Sequence, residues 1–262
     1  MATTAADLAA KRLIGYFNQL DLAVIENKSS QVDLVSTADK EAEQLVFDFL
    51  TDKVPEYGFI GEESTQGDKE LAEYNWVVDP LDGTSNFLCG VPFWSVSIAL
   101  CDADLQPVVG TVYAPLLGKT WTAIKGLGAR MNGAPMQVRQ HPPGGGLENA
   151  MLATGFPYDT CSGGLNTNLD NFAAMQSRFH KIRRMGSAAI DLGLIAEGTF
   201  DGMWELKLSA WDTAAGILLV SEAGGLLSRF DGTHYTPGDI DLLVAATPEL
   251  REIMCKLLSP VK

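Results

Sequence analysis

The spacing of apolar residues predicts two helices in the first part of the chain. Apolar positions recur at helical spacing through residues 5–20, and a second apolar stripe runs from Ala42 to Leu50. Ser36 or Thr37 can cap the second helix, and Pro55 follows its end. These two helices are expected to bury one face each.

The middle of the chain has the pattern of strands. Trp76–Val78 is a short apolar run typical of a buried strand, and it is interrupted by Pro80 and Gly83. Three further runs are separated by Asp, Pro and Gly turn signals: 94–101, 107–113 and 120–124. Their spacing predicts an antiparallel meander.

After a Pro/Gly-rich stretch at residues 141–146, strand and helix patterns alternate. The predicted strands are Met151–Thr154 and Leu242–Ala246. The predicted helices are Leu165–Phe179, Ser187–Glu197, Asp212–Ala223 and one that starts at Pro248. Alternating layers of helices and sheets indicate a layered α+β or α/β fold. We expect a single domain over residues 1–262, with sub-regions of about 1–146 and 147–262.

Composition narrows the kinds of function that the chain can have. Among 262 residues, 33 acids face 19 Lys and Arg, which gives a formal net charge of −14. Nucleic acid is therefore not expected as a ligand, because phosphate backbones are bound by Lys and Arg. No apolar run approaches the roughly 18 residues of a membrane span. No signal peptide is visible and the four cysteines lack CxxC spacing, so a cytoplasmic protein is expected.

Acids are concentrated at three places where the chain is expected to change direction: Gly61–Ser64, Asp79–Phe87 and Trp211–Gly216. In the second segment, Asp79 ends a strand and Asp82 follows in the turn, so both carboxylates can converge on one point. Mg²⁺ prefers oxygen ligands, and the carbonyl of Leu81 lies between these two acids. The N–H and hydroxyl groups of the next three residues, Gly83, Thr84 and Ser85, suit a phosphate.

Each acid also has an ordinary structural interpretation. Asp79 and Asp82 could form an Asp-Pro turn with hydrogen bonds to the backbone. Asp212 could be a helix N-cap, and Glu62 could belong to a solvated loop. Asp39 falls in the first turn of the second predicted helix, where the helix dipole alone favours an acid. Spacing alone leaves these alternatives open.

In this order, the three segments match a family pattern. Between residues 28 and 225 the chain resembles the inositol monophosphatase family of metal-dependent phosphatases, and the long element Asp79–Phe87 followed by Trp211-Asp212 is highly specific. The resemblance implies an αβαβα sugar-phosphatase fold, two or three Mg²⁺ ions as cofactor, inhibition by lithium and commonly a homodimer. It also implies hydrolysis by a metal-activated water, without a phosphoenzyme.

The resemblance assigns a role to each candidate residue. The implied metal ligands are Glu62, Asp79, the carbonyl of Leu81, Asp82 and Asp212. The implied catalytic residues are Asp39 and Thr84, which would orient the attacking water, and Glu63. The implied substrate-binding residues are Gly83, Thr84, Ser85, Gly186, Ser187, Ala188, Glu205 and Asp212. Without the resemblance, Ser187 is equally well explained as an N-cap and Glu205 as an exposed loop acid.

Substrate choice depends on residues outside the carboxylates. In inositol-phosphate enzymes a Glu that matches Glu205 accepts hydrogen bonds from ring hydroxyls, so myo-inositol monophosphate is favoured. Histidinol phosphate and fructose 1,6-bisphosphate are same-class alternatives, and Gly90–Trp94 also resembles histidinol-phosphate phosphatases. A regulatory protein that keeps the fold and a structural calcium-binding module are the different-class alternatives.

Overall fold

The computed structural model of the protein describes residues 1–19, 28–64, 71–157 and 167–259, and for 28–36 it describes only the backbone. The helices are α1 (Ala2–Phe17), α2 (Lys28–Lys53), α3 (Thr84–Leu88), α4 (Leu169–Gln176), α5 (Ala188–Ala196), α6 (Ala210–Glu222) and α7 (Pro248–Leu257). The first seven strands are β1 (Gly58–Gly61), β2 (Tyr74–Asp82), β3 (Ser95–Asp102), β4 (Pro107–Ala114), β5 (Lys119–Ile124), β6 (Ala129–Met131) and β7 (Ala134–Pro135). The remaining strands are β8 (Met151–Thr154), β9 (Lys181–Arg183), β10 (Gly202–Leu206), β11 (Leu226–Ser228) and β12 (Asp241–Ala245).

The strands form two sheets that follow one another along the chain. The first sheet has seven strands in chain order, all antiparallel except the parallel pair β1 and β2. The second sheet has five strands in the order β11-β12-β10-β8-β9. The stretch 141–146 lies between the two sheets, as its Pro and Gly content predicts.

Three apolar cores divide the molecule into five layers. One core packs α1 and α2 against the first sheet, with Leu13, Val46 and Ile98 buried in it. The central core places α5 and α6 between the two sheets, and the third core packs α4 and α7 against the second sheet. This order of layers confirms the predicted αβαβα fold.

Helix α2 begins earlier than the sequence pattern predicts. It starts at Lys28 rather than at Ser36 or Thr37, because residues 28–36 contain no Gly or Pro to interrupt it. Asp39 therefore lies in the middle of the helix, and the prediction that it occupies a first turn was wrong. The helix dipole gives no reason for an acid at that position.

Strand β2 continues past the point where Pro80 was expected to end it. Asp79 pairs with Ser97 and Asp82 pairs with Ser95, with a shift of register between them. A bulge of this kind accommodates proline, because the bulged residue does not have to donate to the ladder. Both acids thus lie on one strand rather than on a strand and a turn.

Two other boundaries differ in ways that affect the site. Helix α6 begins at Ala210, so Asp212 is its third residue and Ser209 is the N-cap. Strand β10 was not predicted, because its residues are buried on both faces and show no alternation of polar and apolar positions. The predicted start of α4 at residue 165 and the last residue of the first predicted helix lie outside the described residues.

None of the described helices combines the length and the apolar character needed to cross a membrane. Cys89, Cys101 and Cys255 are free thiols, and Cys161 lies outside the described residues.

Candidate active site

Strand β2 carries two carboxyl groups of the site, and one of them, Asp82, contacts the N-terminus of α5. Asp82 accepts hydrogen bonds at Oδ2 from the hydroxyl of Ser187 and from the N–H of Ala189, the latter at 2.9 Å. The N–H of Leu81 donates to Oδ1 of Asp79 at 2.9 Å. Ser187 is therefore occupied by Asp82, and the first donors of α5 hold a protein carboxyl in place.

The loop after β1 is held by an acid that the sequence analysis did not single out. Glu43 of α2 is 5% exposed, and its Oε2 accepts the N–H of Glu63 at 2.9 Å. A Cβ on Gly61 would lie 2.2 Å from the same oxygen, so only glycine lets this loop approach Glu43 so closely. These contacts place Glu62 close enough to Asp79 for its charge to raise the pKa of Asp79.

Asp39 lies behind this loop on α2. Its side chain is 3% exposed, and Oδ1 has no hydrogen-bond partner among the residues that the structure describes. Burial, followed by the charges of Glu62 and Glu63, raises the pKa of Asp39 to about 8.

Asp212 reaches the same region from α6. It completes a capping box, because its Oδ2 accepts the N–H of Ser209 at 2.7 Å. Asp212 therefore helps to cap α6, although Ser209 is the N-cap residue. Burial and the charge of Asp82 raise the pKa of Asp212 to about 7, so this acid also faces the other carboxyls.

Five carboxyl groups thus meet and are here called the acid cluster: Asp39, Glu62, Asp79, Asp82 and Asp212. Asp79 is at its centre, because burial and the charges of the other four raise its pKa well above the ordinary value. Burial raises the pKa of Asp82 to about 6, and its hydrogen bonds limit that rise. Burial also raises the pKa of Glu62 above the ordinary value.

The oxygen donors of the acid cluster are of the kind that binds a hard divalent cation, although the described side chains do not form a complete set of metal ligands. Among the described residues, no three His, Cys, Asp or Glu side chains already surround a point that could hold a metal ion. The acid cluster nevertheless carries more negative charge than its described neighbours compensate. The raised pKa of Asp79 indicates this, and so does Oδ1 of Asp39, which has no partner among the described residues. Protons or cations must supply that compensation.

A cavity of about 220 Å³ opens beside the acid cluster. Twelve of the fourteen candidate residues line it: Glu62, Asp79, Leu81, Asp82, Gly83, Thr84, Ser85, Gly186, Ser187, Ala188, Glu205 and Asp212. Asp39 and Glu63 do not line it. Both are near Glu62, because the charges of Glu62 and Glu63 act on the Asp39 carboxyl.

The expected pairing of Thr84 with Asp39 is not made. The hydroxyl of Thr84 donates instead to the carbonyl of Leu81 at 3.1 Å, which is three residues away and needs no long-range contact. Because a hydroxyl has one proton to donate, this bond leaves Asp39 without that donor.

Glu205 forms the opposite wall of the cavity, on strand β10. It is partly buried rather than an exposed loop acid, and burial together with the charges of Asp212 and Asp82 raises its pKa to about 8. Gly155 leaves room for it, because a Cβ there would lie 1.7 Å from Oε1 of Glu205. Asn168 fixes Gly155 by donating to its carbonyl at 2.7 Å.

Six residues of the cavity wall were not predicted: Thr154, Gly155, Phe156, Arg184, Asp191 and Leu208. Most carry no chemical signal in the sequence, since they are apolar or lie within ordinary strand and loop patterns. Asp191 did offer a signal, because it is the one charged residue within the apolar helix α5.

Comparison with known proteins identifies the family. The model of the inositol monophosphatase family matches residues 1–262. The chain belongs to this family. The inositol monophosphatase of Anabaena has the same fold, with a TM-score of 0.84 and 32% identity, and the match covers 99% of this chain and 95% of that one.

Relatives within the inositol monophosphatase family have more than one name. Inositol-1-monophosphatase of Mesorhizobium japonicum is 41% identical over 76% of this chain and 73% of its own length. Nus factor SuhB of Pseudomonas aeruginosa is 39% identical over 89% of this chain and 86% of its own length. A protein of Aquifex aeolicus named fructose-1,6-bisphosphatase/inositol-1-monophosphatase is 35% identical over 80% and 77%. The chain is thus a phosphatase of a magnesium-dependent family, and relatives differ in their named substrates.

Proposed function

We propose that the protein hydrolyses phosphate monoesters of small polyols, with myo-inositol monophosphate as the preferred substrate, and that it requires Mg²⁺. The observation that carries this proposal is that four members of the acid cluster, all except Asp39, line one cavity together with Glu205. At about 220 Å³ the cavity is smaller than the roughly 300–1,000 Å³ of pockets for drug-sized ligands. It suits a phosphate group at one wall and a small alcohol at the other.

The acid cluster is proposed to hold the metal. The ligands would be the carboxylates of Glu62, Asp79, Asp82 and Asp212, together with the carbonyl of Leu81. Bound Mg²⁺ would supply positive charge for the phosphate oxygens and lower the pKa of a water. We propose two or three ions, because five clustered acids carry more charge than one divalent cation neutralises.

The chain's own groups position the substrate and the proton. The N–H groups of Gly83, Thr84 and Ser85, at the start of α3, would bind the phosphate. Asp39 and Glu63 do not line the cavity, and we propose that they orient the attacking water from beside Glu62; Oδ1 of Asp39 has no partner among the described residues. Glu205 would accept a hydrogen bond from a hydroxyl group of the alcohol.

The test is phosphate release from myo-inositol 1-phosphate, histidinol phosphate and fructose 1,6-bisphosphate, each with Mg²⁺ and with EDTA. We expect the highest kcat/KM for the inositol ester, none of the three hydrolysed in EDTA, and inhibition by lithium. A higher kcat/KM for histidinol phosphate or fructose 1,6-bisphosphate would show that this ester, and not the inositol ester, is preferred. No phosphate release from any of the three would refute the proposal. A regulatory protein or a structural calcium module predicts that last outcome.

Asp82→Asn serves as the inactive variant in this experiment. It removes a charge that the metal needs but keeps an acceptor for Ser187 and Ala189, so the fold should persist and kcat/KM should fall by about 100-fold or more. Asp52→Asn is the matched control, because the Asp52 side chain is 72% exposed. Near-normal turnover by Asp82→Asn, with an unchanged circular dichroism spectrum, would refute the metal assignment.

A homodimer and a cytoplasmic location are further expectations of the proposal. Sedimentation analysis of the purified protein tests the first, and fractionation of cells tests the second.

A further inference from the structure

Asp191 is an acid that the proposed reaction does not use. It lies on α5, four residues after the N-cap Ser187, and it lines the same cavity as Glu205. The residue is 2% exposed, and its Oδ1 is buried without a hydrogen-bond partner among the described residues. A buried acceptor without a partner is destabilising and therefore needs an explanation.

Helix formation does not explain this acid. The N-terminus of α5 is already capped, because the hydroxyl oxygen of Ser187 accepts the N–H of Ile190. All nine residues of the helix are buried, and the other eight are Ala, Gly, Ile or Leu. A leucine at position 191 would match its neighbours and leave no polar group unpaired.

The surroundings of Asp191 exclude a structural ion pair among the described residues. The charges that act on it are those of Glu205 and Asp82, and both raise its pKa above the value that burial alone produces. Arg184 lines the cavity and acts on Glu205, but it makes no ion pair with Asp191. Since no described residue supplies a partner for Oδ1, a hydrogen-bond donor on a bound substrate can serve as that partner.

We propose that Asp191 binds a hydroxyl group of the alcohol, so that Asp191 and Glu205 together recognise a substrate with at least two free hydroxyls. The inference rests on the proposed phosphatase function and specifies the part of the substrate that the acid cluster does not reach. A neutral hydroxyl suits the site because it can donate a hydrogen bond to Oδ1 and is the donor that a polyol phosphate carries. A site built to bond a hydroxyl discriminates strongly against an analogue that lacks it.

The test compares myo-inositol 1-phosphate with cyclohexyl phosphate, which has the same six-membered ring and no free hydroxyl. Both are assayed with Mg²⁺ on the wild type, Asp191→Asn and Asp191→Leu, and the readout is the ratio of their kcat/KM values. We expect the ratio to fall about tenfold or more in Asp191→Leu, mainly through KM for the inositol ester, and by less in Asp191→Asn. Asp104→Asn, on an exposed residue, changes the net charge equally and should keep the wild-type ratio.

Thermal unfolding provides the second readout. Because Oδ1 has no partner among the described residues, Asp191→Leu should unfold at a temperature equal to or above that of the wild type. A lower unfolding temperature with an unchanged ratio would show a structural role and overturn the inference. A wild type that hydrolyses both esters equally would overturn the inference and leave the phosphatase intact, whereas hydrolysis of neither ester would refute the proposed function as well.

Discussion

At the scale of single residues, the position of the loop that carries Glu62 depends on one close approach. Gly61 lies against the buried carboxyl of Glu43, and Glu43 in turn accepts the N–H of Glu63. Neither contact is visible in the sequence, because Glu43 is one acid among several on a helix. The contact nonetheless decides where Glu62 points.

Gly61→Ala should therefore weaken metal binding rather than substrate binding. The added Cβ would lie 2.2 Å from Oε2 of Glu43 and would displace the loop that carries Glu62. We expect the Mg²⁺ concentration for half-maximal activity to rise about tenfold or more, as for other changes to residues that orient ligands. Titration of activity with Mg²⁺ measures it.

Gly15→Ala is the control for that prediction. A Cβ at Gly15 meets nothing within 4 Å, and the residue lies exposed near the end of α1. The change should stabilise the protein by about 0.5–1 kcal/mol and leave the Mg²⁺ requirement as it is. An unaltered Mg²⁺ requirement in Gly61→Ala would mean that the loop adapts and Glu43 does not position it.

At the scale of elements, one buried amide connects β8, β10 and α4. Asn168 donates to the hydroxyl of Thr154 at 3.1 Å and to the carbonyl of Gly155 at 2.7 Å. It also accepts the indole N–H of Trp204 at 3.0 Å. This network holds together the two strands that form the Glu205 side of the cavity.

Asn168→Ala should cost about 2–3 kcal/mol of unfolding free energy, because it leaves buried polar groups of Trp204 and Gly155 unpaired. It should also raise KM for the inositol ester, since Gly155 adjoins Glu205. Urea unfolding measures the first effect and steady-state kinetics the second.

Asn149→Ala is the comparison for this effect. Its side chain donates to the carbonyl of Gly145 in a partly exposed turn, so its loss should cost less than about 1 kcal/mol. Equal costs for the two variants would contradict the role given to the buried network.

Element prediction succeeded where one local signal dominates. Strand β8 was predicted with its observed bounds, because an apolar run there is flanked by loop residues. Strand β10 was missed, since Met203 and Trp204 are both fully buried and the alternation of a half-exposed strand is absent. The start of α2 was misplaced because a favourable cap such as Ser36 does not oblige a helix to begin there.

The residues of the candidate site also fall into two groups, those that the sequence analysis named and those that it missed. Twelve residues of the cavity wall were expected because short segments resemble a family pattern. Glu43 and Asn168 act through contacts with distant segments, and only the fold brings Asp191 to the cavity. The residue types of all three are common on ordinary helices and loops. A single sequence carries no record of such contacts.

At the scale of the whole molecule, the buried acids couple folding to pH. The pKa values of Asp39 and Glu205 rise to about 8, and that of Asp212 rises to about 7. Between the ordinary carboxyl range and these values, the folded state binds more protons than the unfolded state. The unfolding free energy is therefore highest below the ordinary pKa and falls as pH rises toward about 8.

The unfolding temperature of the metal-free protein should consequently decrease between pH 5 and pH 8. Mg²⁺ requires ionised ligands and replaces their protons, so the stabilisation by saturating Mg²⁺ should be larger at pH 8 than at pH 5. Differential scanning fluorimetry with and without Mg²⁺ measures both effects. An equal Mg²⁺ shift at the two pH values would show that the acid cluster is not the metal site.

The anchoring of Asp82 by α5 has a consequence for how activity appears during folding. The residues in this contact, Asp82 and Ser187, are 105 positions apart, and Asp212 joins them from still further along the chain. Contacts of such sequence separation form late, because the long intervening loop must close first. A nascent chain that has left the ribosome only as far as the first sheet therefore still lacks Ser187 and Asp212 at the site. Regain of phosphatase activity should accordingly follow the slowest phase of refolding.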